Sequence, residues 1–244
     1  MKQYAFDLHL HSCLSPCGGE DNTPANLAGM CALAGLEVVA LTDHNTCGNC
    51  APFCRAAEHY GLLALPGMEL TTVEEAHVVC LFPGLAEADA FSALVREKLP
   101  PLKNNPAVFG PQIYMDEEDR VLGEEDAFLA GASSVGIYDA AALAASFGGV
   151  AYPAHIDRPS FSLLANLGLW DPAMGFSVAE ISKNCPPDLF DRPDLRGVPH
   201  FDGSDAHYLD QIRDAHQYME LRSRTPQAAL AWLRSGVPAS DGIS

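Results

Sequence analysis

The segment YAFDLHLH, residues 4–11, decides how this chain is interpreted. Its apolar residues predict an N-terminal strand, and the strand runs out at two histidines, His9 and His11. Side chains at positions i and i+2 of a strand lie on the same face. The two imidazoles can therefore reach one metal ion, although an HxH pair alone is a weak signal.

Residue types that ligate metals recur where later apolar runs begin or end. Parallel β/α barrels gather the residues at the C-terminal ends of their strands on one face. The repetition therefore predicts one site built from several strand ends. Its members after the HxH pair are Asp43 and His44 behind residues 38–41, Glu69 behind 62–65, His77 before 78–82, His155 behind 149–153, and Asp205 and His207 behind 199–201.

These motifs together resemble the PHP (polymerase and histidinol phosphatase) family of metal-dependent phosphoesterases. The resemblance runs from about residue 4 to about residue 207 through HxH (9–11), TDH (42–44), PGxE (66–69), His77, PAH (153–155) and GSDxH (203–207). It implies an α/β fold, a distorted (β/α)7 TIM-like barrel, as a single domain over residues 1–244. It also implies two or three divalent metal ions, with Zn, Mn or Fe suited to carboxylate and imidazole ligands.

The resemblance carries over a set of metal ligands in three groups, with Glu69 as the bridge between the first two. Members of the family place a His or Asp five or six residues after the HxH motif, where this sequence has Pro16 and Cys17. Cys17 is the favoured replacement because a thiolate binds Zn or Fe readily, and Glu20 or Asp21 is the alternative. The implied groups are His9, His11, Glu69 and Asp205; Glu69, His77 and His155; and His44, His207 and Cys17.

The activity implied by the resemblance is hydrolysis of a small phosphorylated substrate, a phosphomonoester or a nucleotide, by a metal-activated hydroxide. The catalytic residues would be His155, His207 and Asp205, with a histidine protonating the leaving group. Arg158 and Lys183 are predicted to bind phosphate through charge-assisted hydrogen bonds. Two alternatives stay open, namely a metal-dependent hydrolase acting at a carbon centre, as in amidohydrolases, and a non-enzymatic metal or redox sensor.

Two further predictions concern residues next to the ligands. Asp43 is expected to orient His44 by a hydrogen bond rather than to bind metal itself. Cys13, Cys17, Cys47 and Cys50 lie in the first two site loops and are either an accessory metal site or ordinary small loop residues.

The composition limits the other choices. The chain has 244 residues, of which 48% are hydrophobic and 19% charged, so it can form one globular barrel. No run of 18 apolar residues and no signal peptide is present, and we expect a cytoplasmic protein without a membrane partner. With 14 basic and 32 acidic residues the formal charge is −18, which argues against a long nucleic acid as substrate. The sequence decides neither the identity of the substrate nor the oligomeric state.

Helix signals alternate with the predicted strands. Thr23-Pro24 and Thr225-Pro226 are typical helix starts, with a capping threonine followed by proline. An acidic insertion around residues 100–134 breaks the alternation, and residues 113–115 and 120–122 within it predict a hairpin. Such an insertion is either a lid or specificity element or a solvated acidic excursion. The other predicted helices span 50–60, 86–99 and 138–147, and the last two strands span 178–182 and 218–221.

Overall fold

The structure is a computed structural model that describes residues 1–236. None of its described helices is both long and apolar enough to cross a membrane. The strands are β1 (Lys2–Leu10), β2 (Val38–Leu41), β3 (Leu63–Thr71), β4 (His77–Leu81), β5 (Ile113–Met115), β6 (Val121–Glu124), β7 (Val150–Pro153), β8 (Ala179–Ile181), β9 (His200–Asp202) and β10 (Tyr218–Leu221). The α-helices are α1 (Pro24–Leu33), α2 (Cys50–His59), α3 (Leu85–Lys98), α4 (Pro106–Phe109), α5 (Ile137–Ser146), α6 (Leu163–Asn166) and α7 (Pro226–Arg234).

The largest sheet has six strands in the order β10-β1-β2-β3-β4-β7. Strands β1, β2 and β3 are parallel, β4 is antiparallel to both β3 and β7, and β10 is antiparallel to β1. Strands β8 and β9 form a separate parallel pair. Backbone hydrogen bonds from Ile156 to Glu180 (2.9 Å) and from His11 to Ala206 (3.0 Å) connect this pair to the regions after β7 and β1. The strands therefore curl into a distorted α/β barrel, which confirms the predicted fold class.

The antiparallel strand β4 explains how His77 reaches the same edge as the other predicted ligands. Residues 72–76 form a tight turn between β3 and β4 instead of a helical crossover, so β4 runs backwards. The start of β4 therefore lies beside the end of β3, with Thr71 paired to His77. Strand β7 runs antiparallel to β4, which returns His155 to this edge.

Strand β3 is longer than predicted. The sequence predicts that the strand ends near residue 65, before Pro66-Gly67, but β3 continues to Thr71. Pairing with β4 from Gly67 onward provides the hydrogen bonds that hold this extension. A Cβ at Gly67 would lie 2.6 Å from the carbonyl oxygen of Cys80, so the close approach of the two strands requires glycine there.

The hydrophobic core has two parts. One lies between the sheet and the surrounding helices and includes Leu27, Phe53 and Phe91. The other fills the barrel around Phe6 and receives the apolar face of α7, whose Trp232 ring contacts Phe6 with centroids 5.3 Å apart. A fully buried side chain of this kind contributes about 1.5–3 kcal/mol.

The helix starts predicted from Thr-Pro pairs are confirmed. The side chain of Thr23 accepts a hydrogen bond from the backbone N–H of Asn26, and that of Thr225 from Ala228. Helices α2, α3 and α5 begin and end within one or two residues of the predicted positions.

The acidic insertion is docked on the first two site loops. The predicted hairpin is present as β5 and β6. The side chain of Asn49 donates to the Ile113 carbonyl (3.0 Å) and accepts from the Met115 N–H (3.1 Å). Asp119 accepts hydrogen bonds from the Thr23 hydroxyl (2.6 Å) and the Ala25 N–H (3.0 Å). These contacts favour a structural or specificity element over a solvated excursion.

Candidate metal centre

The structure brings all the sequence-predicted ligands to the strand edge formed by the ends of β1, β2, β3 and β7 and the start of β4. Among the described residues, three overlapping groups have ligand atoms that lie within 4.8 Å of one another. The groups are His9, His11, Glu69 and Asp205; His11, His44 and His207; and His44, Glu69 and His77.

Glu69 lies at the middle of these groups. Its side chain is 1% exposed, and its carboxylate is surrounded by imidazole nitrogens. Such a position suits a carboxylate that bridges two ions. The distances from Glu69 oxygens are 2.8 Å to His77 Nδ1, 3.0 Å to His44 Nδ1, 3.1 Å to His155 Nε2, and 3.3 Å to both His9 Nε2 and His11 Nε2.

The electrostatics of this group favour an ionised Glu69 carboxylate and a neutral His77, whereas for His9 and His44 the nearby anionic groups outweigh burial and hold the pKa above its ordinary value. Burial raises the pKa of Glu69, but His77, His9 and His44 outweigh this effect and hold the pKa well below its ordinary value. Burial also lowers the pKa of His77 to about 4. A carboxylate and an unprotonated imidazole are the states in which these side chains bind metal.

His9 is oriented by Glu180, a residue that the sequence analysis missed. Nδ1 of His9 donates to the Glu180 carboxylate at 2.8 Å, and both side chains are fully buried. This hydrogen bond leaves Nε2 with its lone pair directed toward the other donors. The available signal was a carboxylate inside the short apolar run at residues 178–181. Gly203 makes room for it, because a Cβ there would lie 2.6 Å from the Glu180 carboxyl carbon.

His11 is oriented through a serine. Nδ1 of His11 donates to the Ser15 hydroxyl (3.0 Å), which donates in turn to Asp43 (2.7 Å). Asp43 also accepts from the N–H and hydroxyl of Ser12 at 2.7 and 2.6 Å. The prediction that Asp43 orients His44 directly is therefore wrong, because its carboxylate is occupied by the serines of the first loop.

These residues fit a divalent cation. The Nε2 atoms of His9 and His11 lie 3.2 Å apart, with both Nδ1 protons already donated to other groups. In the neutral state their Nε2 lone pairs face each other, an arrangement that a cation between them would stabilise. Buried polar atoms without partners are costly, and a cation would satisfy them. Within residues 1–236, the buried side-chain atoms here without a hydrogen-bond partner are His44 Nδ1, Glu69 Oε2, His155 Nδ1 and both Asp205 carboxylate oxygens.

Two of the predicted ligands also have an unusual backbone conformation. His155 has φ of 28° and Asp205 has φ of 47°, in the left-handed region that non-glycine residues rarely adopt. Strain of this kind persists where the surrounding structure enforces it, and it clusters at functional sites.

A cavity of about 540 Å³ opens beside these donors. His155 and Asp205 line it, together with Arg158, Lys183 and Arg213. The Arg158 guanidinium forms an ion pair with the Asp205 carboxylate. Lys183 is exposed and forms no ion pair with any residue in the described part of the chain. Both predicted phosphate binders therefore lie next to the donors, and Arg213 adds a cation that the sequence analysis did not identify.

Residues 7–152 of the chain match the PHP domain family. The chain belongs to this family. The family match and the His, Glu and Asp groups described above support a metal-dependent hydrolase here. No curated protein matches the sequence.

Several solved structures share the PHP fold of this chain. The lesion-specific endonuclease PfuEndoQ from Pyrococcus furiosus superimposes with a TM-score of 0.68 at 18% identity, over 96% of this chain and 56% of that one. The structure of an endonuclease Q complex with a 27-mer duplex superimposes with a TM-score of 0.70 at 17% identity. The match covers 96% of this chain and 57% of that one. A proposed metal-dependent phosphoesterase from Bifidobacterium adolescentis gives 0.63 at 19%, over 96% of both chains. At these identities the likeness shows the fold, and the chain spans little more than half the length of endonuclease Q.

The endonuclease Q complex corrects one prediction. The net charge of −18 was taken to argue against a long nucleic acid, yet a protein with this fold is seen with a 27-mer duplex carrying an abasic lesion at the active site. The argument failed because net charge averages over the whole surface, whereas binding depends on the local field. In this chain the cavity beside the PHP site is lined by three basic residues despite the acidic total.

Cys17 occupies the position where the sequence departs from other PHP proteins. Cys17 is exposed, as are Glu20 and Asp21, but its Sγ lies 3.2 Å from His44 Nε2. Burial raises the pKa of the Cys17 thiol, but His44 and His207 more than offset it and bring the pKa to about 5. His207 Nδ1 donates to the Asp205 carbonyl (2.8 Å), which fixes the orientation of this ring. The geometry favours Cys17 over the two carboxylates as the additional ligand.

Of the two alternatives for the cysteines of the first two site loops, the accessory metal site is not formed. The thiols of Cys47 and Cys50 both contact the Gly67 carbonyl, at 3.2 and 3.3 Å, within the core between sheet and helices. Cys13 contacts a carbonyl of the insertion at 3.7 Å. Only Cys17 of these four contacts a candidate ligand, and none of the metal-binding groups found among residues 1–236 contains any of the four. The Cys47 and Cys50 side chains turn into the core instead, which the CxxC spacing does not reveal.

Proposed function

We propose that this PHP protein is a metal-dependent phosphoesterase that hydrolyses a phosphomonoester or a nucleotide. The observation that carries the proposal is the cavity in which Arg158, Lys183 and Arg213 lie beside Asp205 and His155, together with the carboxylates of Asp157 and Glu180. Three of the 14 basic residues of this acidic chain line that one cavity. Cations that converge beside a metal centre suit a phosphate ester, whose charge spreads over the phosphoryl oxygens during hydrolysis.

The proposed ligands combine imidazole, carboxylate and one thiolate, a set that suits Zn, Mn or Fe. Bound divalent ions would polarise the phosphoryl group and activate water for attack. The residues that would hold two or three such ions are His9, His11, Cys17, His44, Glu69, His77, His155, Asp205 and His207.

The side chains of the cavity would bind and orient the substrate. Arg158 reaches the centre through its ion pair with Asp205, so its guanidinium can donate to a phosphoryl oxygen there. Lys183, an exposed residue that lines the same cavity, offers a second positive charge. His155 Nε2 lies 3.1 Å from Glu69 Oε1, so the imidazole is beside the centre, and it or His207 would pass a proton to the leaving oxygen.

A phosphodiester in nucleic acid is the second candidate substrate. The observation in its favour is the endonuclease Q complex, in which a related fold binds a DNA duplex with an abasic lesion. The reaction at phosphorus would be the same, and only the leaving group and the length of the substrate would differ.

Phosphate release from a panel of phosphomonoesters and nucleotides, with added Mn²⁺, Zn²⁺ or Fe²⁺, tests the proposal. We expect release by the wild type, loss of release in Asp205→Asn, and full release in the matched control Asp89→Asn, which changes an exposed aspartate of α3. Cleavage of an abasic-site duplex, measured in parallel, distinguishes the second candidate. Release of neither phosphate nor DNA fragments by metal-loaded protein would contradict the proposal and favour hydrolysis at a carbon centre.

A further inference from the structure

A second pocket lies on the other side of the metal centre, between its loops and the insertion. We infer that this pocket binds an uncharged, flat heteroaromatic ring of the substrate, of the chemical type of a nucleobase. The inference rests on the proposed phosphoesterase function and specifies part of its substrate. The pocket measures about 390 Å³, within the range of small-molecule sites.

Aromatic side chains form its walls. Phe109 and Phe128 of the insertion pack together with ring centroids 4.6 Å apart. Across the pocket, the Phe161 ring stacks on His77 with centroids 5.1 Å apart and planes inclined by 22°. Phe109 is 44% exposed and Phe161 is 47% exposed, so both rings present apolar surface that could be covered by a ligand. Flat bases stack on such rings regardless of their sequence.

Phe161 is held in place at a cost in backbone energy. Its φ is 52°, in the left-handed region that is unfavourable for a bulky residue. Its carbonyl accepts a hydrogen bond from the His77 N–H at 3.0 Å, which fixes the ring beside the metal centre. An exposed phenylalanine in a strained conformation gains little for folding, and such outliers cluster at ligand sites.

The polar groups of the pocket suit a neutral ring rather than an anion. Thr71 lines the pocket, is 1% exposed, and has a hydroxyl without a hydrogen-bond partner in residues 1–236. Glu75 adds an exposed carboxylate, which can accept from an exocyclic amino group. No Lys or Arg from the described chain lines this pocket, in contrast to the cavity that holds Arg158 and Lys183.

The position of the pocket relates it to the reacting centre. Cys17 lines the pocket, and its Sγ is 3.2 Å from His44 Nε2. The cavity lined by Arg158 and Lys183 meets the metal centre at His155 and Asp205 instead. This cavity and the aromatic pocket have no lining residue in common. A phosphate ester at the centre can therefore direct anionic groups into the cavity and an aromatic group into this pocket.

Kinetics on matched esters test the inference. We expect the wild type to hydrolyse adenosine 5′-monophosphate with a kcat/KM about tenfold above that for ribose 5-phosphate, which lacks the base. Phe109→Ala should remove most of this preference and leave ribose 5-phosphate unaffected. The control Val108→Ala changes a neighbouring residue of α4 that is 66% exposed and lies outside the pocket lining, and it should behave as the wild type. Equal rates for the two esters, or an equal loss on both in Phe109→Ala, would overturn the inference.

Binding of adenosine alone separates this inference from the proposed function. Adenosine has no phosphate, so calorimetric titration reports on the pocket whether or not the chain hydrolyses esters. We expect binding by the wild type and by Val108→Ala, and weaker binding by Phe109→Ala and by the isosteric Thr71→Val. Adenosine binding without hydrolysis of any ester would refute the phosphoesterase and retain the pocket. Hydrolysis of esters without adenosine binding would refute the pocket and retain the phosphoesterase.

Discussion

The metal centre and the wall of the basic cavity meet at Asp205, yet they are built differently. In the centre, His9 and Glu69 are almost fully buried, and His9 is fixed by a second residue that holds its remaining nitrogen. On the cavity wall, Arg158 has a side chain that is 41% exposed, and Lys183 is exposed and unpaired among residues 1–236. The comparison indicates that the centre is preorganised for one geometry, whereas the wall can adapt to what it binds.

The largest effect should come from a change of Glu69, the carboxylate at the middle of the metal centre. Glu69→Gln keeps the shape but removes the charge that five imidazoles surround, so metal content and hydrolysis should both fall, the rate by roughly 10³-fold. Metal analysis by mass spectrometry and phosphate release measure the two effects. Normal metal content in a folded Glu69→Gln protein would show that the carboxylate is not a ligand, and the distinction between centre and wall would lose its basis.

Glu180→Gln tests whether the rigidity of the centre depends on residues that do not bind metal. Loss of the charged acceptor for His9 Nδ1 should weaken metal affinity by roughly 10- to 100-fold. Competition with a chromophoric chelator measures the affinity. The matched control is Asp157→Asn, which alters a carboxylate that holds Ser182 in the cavity wall at 2.7 and 2.5 Å. An equal loss of affinity in both variants would contradict a specific role for Glu180.

Lys183→Ala tests the wall. Removal of an exposed cation that contacts phosphate should lower kcat/KM by about 10- to 30-fold while metal content stays normal. The control Lys98→Ala changes a lysine at the end of α3 and should have no effect. Loss of metal in Lys183→Ala would mean that metal binding in the centre depends on the cavity wall, and the distinction between the two regions would be wrong.

Cys17 lies on the boundary between the metal centre and the rest of the site. The smallest predicted effect is on the reactivity of its thiol, whose pKa is lowered to about 5. In metal-free protein the thiolate should persist as the pH falls from 8 to 6 and be lost only through about pH 5. Burial raises the pKa of Cys185 to about 11, so that thiol serves as the internal control. At pH 7 we expect iodoacetamide to modify Cys17 about tenfold faster, because the higher thiolate fraction outweighs the lower nucleophilicity. A Cys17 rate that rises tenfold per pH unit between 7 and 8 would contradict the lowered pKa.

The sequence predicted the parts of the site that depend on motifs and missed those that depend on long-range packing. The predicted ligands come together because strand ends share one edge of the barrel. Glu180 was missed because its role depends on β8 lying beside β1, and a single carboxylate in an apolar run does not indicate its partner. The direction of β4 was also missed. An apolar run that begins with His77 is compatible with either a short turn or a helical crossover before it, so the sequence does not reveal the direction of the strand.

Asp43 shows a different limit. Its burial next to a ligand was predicted, but its hydrogen bonds go to Ser12 and Ser15, whose hydroxyls have no periodic signal in the sequence. The accessory cysteine site failed for a related reason. Spacing along the chain brings Cys47 and Cys50 together on Gly67, but it does not reveal that their loop turns into the core.

The turn between β3 and β4 sets the chemistry of the site through its length. Glu69 pairs with Val79 and Thr71 with His77, so the carboxylate and the imidazole share the inward face of the ladder. Because alternate residues of a strand face opposite ways, one residue added between positions 72 and 76 would shift β4 by one step and turn the imidazole outward. All the ligand residues would still be present in such a sequence, but one of them would face the helices. In this chain, the number of residues in that turn therefore matters as much as the histidine that follows it.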